Sequence, residues 1–326
     1  MLRKILIGFV ILMFSVMSTS AYAKVIMVED LPDTMSEIQD AVNSAVDGDT
    51  ILIQKGEYAG AWIGRSFEEE SGPTKCLKIM GSGPDTRIVE GNWYTDGIDF
   101  YGDEVSGSEI SNLTIDTSSF TLPEGWVAVG IGAASTNNIT IRGIEIVNTN
   151  YAAIDLNWAD NIQVTNNKIV GFIGGSPLPA GIRVEYSKNS LIAFNEIESR
   201  PDDQCSAVGI YMYAARSLYF PTVTGNKIVH NKIAVKTDTD PTAYAVFLYS
   251  QRNTLNTSEN LIGFNDFRGS EKDVNGEVCY IGYNPVGLAD INVVSRNLGD
   301  NRHFVPLPEG YEVKDFRPYG RVVEEE

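Results

Sequence analysis

The sequence reads Ala153-Ile154-Asp155-Leu156-Asn157 in one segment, Gly181-Ile182-Arg183-Val184-Glu185 28 residues later, and Gly209-Ile210-Tyr211-Met212-Tyr213 after another 28 residues. Each segment opens with a small residue and then alternates apolar and polar side chains, which is the pattern of a strand with one buried face. The constant spacing places the three segments at equivalent points of a repeated unit. Self-similarity of this kind indicates a repeat architecture.

A second kind of strand, punctuated by asparagine, alternates with the first along the chain. In the first kind, the equivalent apolar positions are aligned as Ile131, Ile154, Ile182, Ile210, Val246 and Tyr280. In the second kind, they are aligned as Ile115, Ile146, Ile169, Ile197, Ile228 and Phe267. A whole unit therefore returns to its starting point every 23 to 39 residues, which predicts a solenoid.

The repeats predict an all-β fold, because no unit carries an amphipathic pattern of helical length. Short parallel strands would stack about 4.8 Å apart from one turn to the next, with side chains alternating between core and solvent. Asparagine suits the corners, since stacked amides hydrogen-bond in a ladder and Asn tolerates the left-handed conformation. The predicted ladder is Asn167, Asn195, Asn226 and Asn265.

The N-terminal part carries the one predicted helix. The residues Thr34-Met35-Ser36-Glu37 form a capping box, and apolar residues from Ile38 to Val46 share one helical face. The helix Ile38-Gln39-Asp40-Ala41-Val42, then Gly48-Asp49-Thr50-Ile51 and Gly56-Glu57-Tyr58, and then Asn-rich coils resemble the right-handed parallel β-helix superfamily with the pectin-lyase-like fold. The resemblance covers roughly Val25 to Ser270 and implies that the helix covers one open end of the coil. No motif set of a specific enzyme family is matched.

Three segments are expected in the chain. Residues 1–23 have the form of a signal peptide, with Arg3 and Lys4 before an apolar run and Ala21-Tyr22-Ala23 as the cleavage site. Residues 24–283 are predicted to form the β-helix domain, and residues 284–326 a C-terminal capping or tail segment. The protein is thus expected to be exported, secreted or periplasmic, without a membrane span, and monomeric.

The formal net charge of −18 argues against nucleic acid as a partner. It suits a neutral glycan, a cationic partner, or an anionic glycan bridged by Ca²⁺, although acidity also serves solubility alone. No cofactor follows from the sequence. Asp238 and Asp240 are possible ligands of Ca²⁺, but these two side chains alone supply too few oxygens for a specific site. One disulfide is possible among Cys76, Cys205 and Cys279, with its pairing open.

The outward side chains of the first kind of strand are the candidate functional residues. Asp155, Arg183, Glu185 and Tyr211 are the catalytic candidates, and Asn157, Tyr213 and Tyr249 are the substrate-binding candidates. Together they would form the floor of a groove whose carboxylates, amides and aromatic rings suit a sugar. The expected separation of Asp155 and Glu185, about 8 Å between Cβ atoms, fits an inverting glycoside hydrolase.

Two alternatives remain open from the sequence. A polysaccharide lyase would use Arg183 or Tyr211 as its acid or base on the same surface. A non-catalytic glycan-binding or cell-surface protein would use the aromatic residues alone, with Asp155, Arg183 and Glu185 as an ion-pair ladder.

Overall fold

The computed structural model describes residues 23–29, 37–64, 75–92, 95–123, 126–172, 179–199, 207–214, 223–235, 243–250, 257–268, 270, 278–284, 293–295 and 302–303. Within these residues three long parallel sheets, here named A, B and C, wind into a right-handed β-helix in which each turn contributes a strand to each sheet. The predicted all-β fold is therefore confirmed. The described residues contain no helix that is long and apolar enough to cross a membrane.

Sheet A has ten strands in the described part of the chain. They are β1 (Val25–Val28), β2 (Thr50–Ile53), β5 (Lys78–Gly81), β8 (Glu109–Ser111), β11 (Thr140–Arg142), β14 (Gln163–Thr165), β17 (Leu191–Ala193), β21 (Lys227–Val229), β25 (Leu261–Gly263) and β27 (Val293–Ser295).

Sheet B has seven strands among the described residues. They are β3 (Gly56–Ala59), β6 (Thr86–Glu90), β9 (Thr114–Asp116), β12 (Glu145–Val147), β15 (Lys168–Phe172), β18 (Glu196–Ser199) and β22 (Lys232–Ala234).

Sheet C, whose outer face carries the candidate site, has nine strands over the same ranges. They are β4 (Ala61–Gly64), β7 (Asp96–Tyr101), β10 (Val129–Ala134), β13 (Ala152–Asn157), β16 (Ala180–Glu185), β19 (Val208–Ala214), β23 (Ala243–Ser250), β26 (Val278–Asn284) and β28 (Arg302–His303). A small fourth sheet pairs β20 (Val223–Thr224) with β24 (Thr257–Ser258).

The core is a set of apolar columns that run along the helix axis. In sheet C, Ile131, Ile154, Ile182, Ile210 and Val246 pair in register and are completely buried. Each such side chain contributes about 1.5–3 kcal/mol on burial, so the columns stabilise every turn against its neighbours.

Two of the predicted alignments were wrong by one strand or one residue. Val246 pairs with Ile281 and not with Tyr280. Ile197 pairs with Ile233, whereas Ile228 pairs with Ile192 in sheet A. The sequence pattern distinguished two kinds of strand, but each turn contains three, so strands of sheets A and B were placed in one class.

The asparagines form two ladders rather than one. At the corner between sheets A and B, Asn167, Asn195, Asn231 and Asn265 are buried, and each of the first three donates its amide to the next. Asn226 belongs to a separate ladder with Asn260 at another corner. The stacked amides satisfy buried backbone groups at corners where the sheet hydrogen bonds are interrupted.

The helix α1 (Glu37–Ser44) buries Ile38 and Val42 in the core. It ends at Ser44, before the predicted Val46, and residues 34–36 of the capping box lie outside the described residues. The side-chain amide of Gln39 accepts from the backbone N–H of Trp62 at 2.8 Å and donates to its carbonyl at 3.2 Å. Because β4 is the last strand of sheet C within the described residues, this amide takes the place of a neighbouring strand and protects the sheet edge.

Within the predicted tail, β27 pairs with β25 of sheet A and β28 pairs with β26 of sheet C. The coil therefore continues past residue 283 in these two strands.

Candidate active site on the outer face of sheet C

Two rows of side chains cover the outer face of sheet C, because alternate residues of each strand point away from the core. Row 1 consists of the paired residues Trp62, Asp99, Gly132, Asp155, Arg183, Tyr211 and Phe247. Row 2, two residues further along each strand, consists of Gly64, Tyr101, Ala134, Asn157, Glu185, Tyr213 and Tyr249. All of the predicted catalytic and substrate-binding residues on sheet C therefore lie on one surface.

This surface is buried. Asp155, Arg183 and Glu185 are 4–7% exposed and Tyr211 and Tyr213 are 1–3% exposed, although they lie on the side opposite the core. Their burial follows in part from close packing among charged groups and rings. The expected groove floor is thus a layer with little contact with solvent.

The two rows are interrupted by small residues at β10, where Gly132 lies between Asp99 and Asp155 in row 1. A methyl group on Gly132 would come within 2.5 Å of Asp99 Oδ1 and 3.5 Å of Asp96 Oδ2. The carboxyl groups of Asp96 and Asp99 therefore lie directly above Gly132 on the outer face of the sheet. We call this group of carboxyl side chains around Gly132, formed by Asp96, Asp99 and Asp155, the acid recess.

Burial makes these carboxyl groups hard to ionise. It raises the pKa of Asp99 to about 7. Burial, reinforced by the charges of Asp99 and Asp155, raises the pKa of Asp96 well above its usual range. The pKa of Asp155 is also raised well above its usual range, mainly by burial and further by Glu185 and Asp99. Three adjacent carboxyl groups thus retain protons at a pH where an exposed aspartate has lost them.

Arg183 binds two of the acids on its own side of the recess. Its Nη2 lies 2.5 Å from Glu185 Oε2, and its Nη1 lies 3.7 Å from Asp155 Oδ2. The guanidinium also lies over the rings of Tyr151 and Tyr213, with Cζ 5.0 and 5.7 Å from their centroids. Because Arg183 contacts both carboxylates, the space between Asp155 and Glu185 holds a guanidinium group rather than a path for water.

Aromatic rings fill the face on the far side of Arg183. Tyr211 stacks on Phe247 at 5.7 Å and Tyr213 on Tyr249 at 5.5 Å between centroids. Burial, followed by the neighbouring Tyr213, raises the pKa of Tyr211 well above its usual range, so its phenol stays protonated. Tyr211 can therefore donate a hydrogen bond but is a poor base.

Several buried oxygens in this layer lack a hydrogen-bond partner within the part of the chain that the structure describes. They are Asp99 Oδ1, Asp155 Oδ1, Asn157 Oδ1 and Tyr211 Oη. Buried polar atoms without partners are rare in folded proteins, and a cluster of them indicates a place where water or a ligand binds.

Sequence reasoning missed Asp96 and Asp99. The alternation along β7 places Asp99 outward, in register with Asp155 two turns later. The repeat did not show this register, because the alignment of the first kind of strand begins at Ile131, one turn after Asp99.

The remaining predicted positions give less information. Asp238 and Asp240 lie outside the described residues, and the described part of the chain has no group of three or more His, Cys, Asp or Glu that could hold a metal ion. Cys76 carries a free thiol, whereas Cys205 lies outside the described residues.

The three-sheet coil and its outward rows define a right-handed parallel β-helix protein. The chain belongs to the family described as right handed beta helix region, whose model matches residues 88–275, more than half of its length. A search of curated proteins found no match.

Several solved structures are similar to this chain at low sequence identity. One is a pectin methylesterase in complex with a hexasaccharide (13% identity, 80% of this chain and 93% of that chain, TM-score 0.43). Another is the DFA-IIIase of Arthrobacter chlorophenolicus A6 in complex with DFA-III (16% identity, 86% of this chain and 85% of that chain, TM-score 0.43). A third is the pectate lyase Pel9A (12%, 86% and 72%, TM-score 0.38). At these identities the likeness is one of fold.

Proposed function

We propose that the protein is an exported glycoside hydrolase that cleaves a neutral glycan in the acid recess with inversion of the anomeric configuration. The observation that carries the proposal is the placement of Asp99 and Asp155 on either side of Gly132, each with a buried oxygen that lacks a partner within the described residues. Export is supported by the signal-peptide pattern of residues 1–23.

The spacing of the two acids suits this reaction. Asp99 and Asp155 lie two strands apart, so their backbones are separated by about 10 Å. Asp99 leans over Gly132 and shortens the distance between the carboxyl groups. Inverting hydrolases hold their carboxyl groups about 6.5–9.5 Å apart, which leaves room for a sugar and a water molecule.

The pKa shifts of Asp155 and Asp99 support different roles for the two acids. Asp155, whose pKa is raised by burial and by two neighbouring acids, donates its proton to the glycosidic oxygen as the C–O bond breaks. Asp99 accepts a proton from the water that attacks the anomeric carbon, and Asp96 supports it through their shared hydrogen bond. The products are a free alcohol and a hemiacetal of inverted configuration. Proton exchange with solvent then restores both acids.

A neutral substrate is favoured over a uronate. Four acids, Asp96, Asp99, Asp155 and Glu185, share the layer with Arg183, which already contacts two of them. A uronate carboxylate would add a further buried negative charge, and the described part of this layer offers it no second cation. A lyase, which must neutralise that carboxylate, therefore fits the layer less well than a hydrolase.

The proposal is tested by incubating the chain from Lys24 onwards with a panel of neutral α- and β-glucans, fructans, mannans and xylans. We expect reducing ends to be released from one of them, and proton NMR of the first product to show the anomer opposite to that of the bond cleaved. Retention of configuration, or absorbance of an unsaturated uronate on a polyuronate control, would overturn the inverting hydrolase. Binding of a glycan without any cleavage would favour the non-catalytic alternative.

A further inference from the structure

The corner that follows row 2 carries two aromatic residues near the acid recess, the exposed Trp158 and the partly buried Tyr186. On four successive turns this corner is occupied by Gly102, Ser135, Trp158 and Tyr186, all with positive φ between 47° and 94°. Trp158 follows Asn157 directly, and its backbone N–H donates to the carbonyl of Glu185. The corner is therefore fixed to the strands that carry the site.

Trp158 is an unusual residue for this backbone conformation. A bulky side chain adopts the left-handed region only at an energetic cost, whereas Asn and Gly adopt it readily. Elsewhere this chain places Asn at left-handed corners, for example Asn161 and Asn189, but it also places Phe194 and Phe264 there. Backbone strain therefore does not by itself distinguish Trp158. What distinguishes Trp158, which is 39% exposed, is its position directly after Asn157 of row 2.

A continuous aromatic path connects this corner to the buried layer. The ring of Trp158 lies edge-on to Tyr186 at 5.3 Å, and Tyr186 lies 6.5 Å from Tyr213. Arg183 Cζ lies 5.7 Å from the Tyr213 ring. Trp158 follows Asp155 by three positions, so their backbones are at most about 10 Å apart.

We propose that Trp158 and Tyr186 form a sugar-binding subsite that holds a pyranose ring of the glycan beside the acid recess. Flat aromatic rings with a polar edge bind the apolar face of a sugar while neighbouring amides bind its hydroxyls. The inference rests on the proposed hydrolase, since it places this sugar within a few units of the bond cleaved.

The test compares Trp158→Ala with Phe194→Ala. Phe194 is a matched control because it is also an exposed aromatic residue at a left-handed corner (φ 58°, 58% exposed), but at the corner between sheets A and B. Hexasaccharides and disaccharides of glucose, mannose and xylose serve as probes. Binding is measured calorimetrically in an Asp155→Asn background, and kcat and KM are measured with Asp155 intact.

We expect Trp158→Ala to weaken binding of a hexasaccharide at least about tenfold and to raise KM with little change in kcat, and to leave disaccharide binding unchanged. Phe194→Ala should change neither. If Trp158→Ala binds and turns over like the parent, the subsite is overturned while the hydrolase stands. If no glycan is cleaved but Trp158→Ala still weakens binding, the subsite stands and the hydrolase fails.

A different observation carries a second inference, which concerns the N-terminus. The carboxylate of Asp49 is completely buried and accepts from the backbone nitrogens of Lys24 and Val46, both at 2.9 Å. Although burial alone would raise it, these bonds and the charge of Lys24 bring the pKa of Asp49 below its usual value. The Lys24 nitrogen is the atom that the predicted cleavage after Ala23 would turn into the chain terminus.

We infer that processing completes an ion pair at this site. Hydrolysis of the Ala23–Lys24 peptide bond by one water leaves a carboxylate on Ala23 and an ammonium on Lys24, 2.9 Å from Asp49 Oδ1. A hydrogen bond from a neutral amide then becomes a bond between two charged groups, which is about twice as strong. The other charged groups near Asp49 are the Lys24 side chain, Lys75 and Asp47.

The test compares two forms of the chain that begin at Lys24, one with a free amine and one acetylated. A free α-amine titrates at about pH 8 in unfolded chains, and Asp49 would raise its pKa in the folded protein. The extra stability is therefore present at pH 6 and is lost as the pH rises through the raised pKa. We expect the free form to have about a tenfold lower unfolding constant in urea at pH 6, with the difference shrinking at alkaline pH.

An Asp49→Asn variant should abolish the difference between the two forms at pH 6. Equal urea midpoints of the free and acetylated forms at pH 6 would overturn the ion pair, as would a difference that persists in Asp49→Asn. The comparison of the first two forms does not depend on whether that variant folds.

Discussion

Replacing Asp155 with Asn is expected to lower kcat on the cleaved glycan by about 10²- to 10⁴-fold, the range found for general acids. The substitution keeps the shape of the side chain and its place between Gly132 and Arg183 but removes the proton that the leaving oxygen requires. Because the introduced amide is neutral, as the protonated acid is, we expect KM and the urea midpoint to change little. Initial rates of reducing-end release and a urea titration measure the two effects.

Asp160→Asn is the matched control for this substitution. Asp160 lies five residues further along, is partly exposed and pairs with Lys188 at 3.4 Å on the surface. Its replacement should leave kcat within about twofold, since a surface ion pair contributes little. If Asp155→Asn retained more than about a tenth of the parent kcat, Asp155 would not be the general acid.

The pH dependence of kcat gives an independent check of the two roles. Activity requires Asp99 to be ionised and Asp155 to be protonated, and the pKa of Asp99 is raised to about 7 while that of Asp155 is raised well above its usual range. The resulting bell-shaped profile belongs to the coupled group of acids and not to single residues. In Asp99→Asn the acidic limb should disappear together with most of the activity, whereas a sigmoidal profile in the parent would contradict a paired acid and base.

The fold could be predicted from the sequence because the same requirement, the burial of an apolar side chain, recurs on every turn. Every turn must bury an isoleucine at the same place, so Ile154, Ile182 and Ile210 recur at a constant spacing and indicate the solenoid. The error in assigning Ile228 has the same physical origin. The strands β21 of sheet A and β22 of sheet B are three residues long and joined by a corner, so their buried apolar residues Ile228 and Ile233 lie only five positions apart. Periodicity alone cannot decide which of them belongs to which sheet.

The candidate site could be predicted only in part, because function does not repeat from turn to turn. Asp155, Arg183 and Glu185 were found since they occupy outward positions of recognisable repeats. Asp99 lies at the equivalent position one turn before the aligned strands begin at Ile131, and its role depends on Gly132, whose contribution is the absence of a side chain. The burial of the layer depends on packing between distant parts of the chain, which a local pattern does not encode.

The polar ladder at the corner between sheets A and B should be the least replaceable part of the fold. Asn195 accepts from the backbone and side-chain nitrogens of Asn167, both at 3.0 Å, and donates to the carbonyl of Val164 and to Asn231 Oδ1, both at 2.9 Å.

We therefore expect Asn195→Ala to lower the free energy of unfolding by about 3–5 kcal/mol, because each buried group left without its partner costs about 1–3 kcal/mol. Gln163→Ala, an exposed position on the neighbouring strand β14, should change it by less than about 0.5 kcal/mol. Urea unfolding followed by circular dichroism measures both. A loss below about 1 kcal/mol for Asn195→Ala would mean that water replaces the amide at the corner. The ladder would then follow from the geometry of the turns and contribute little to their stability.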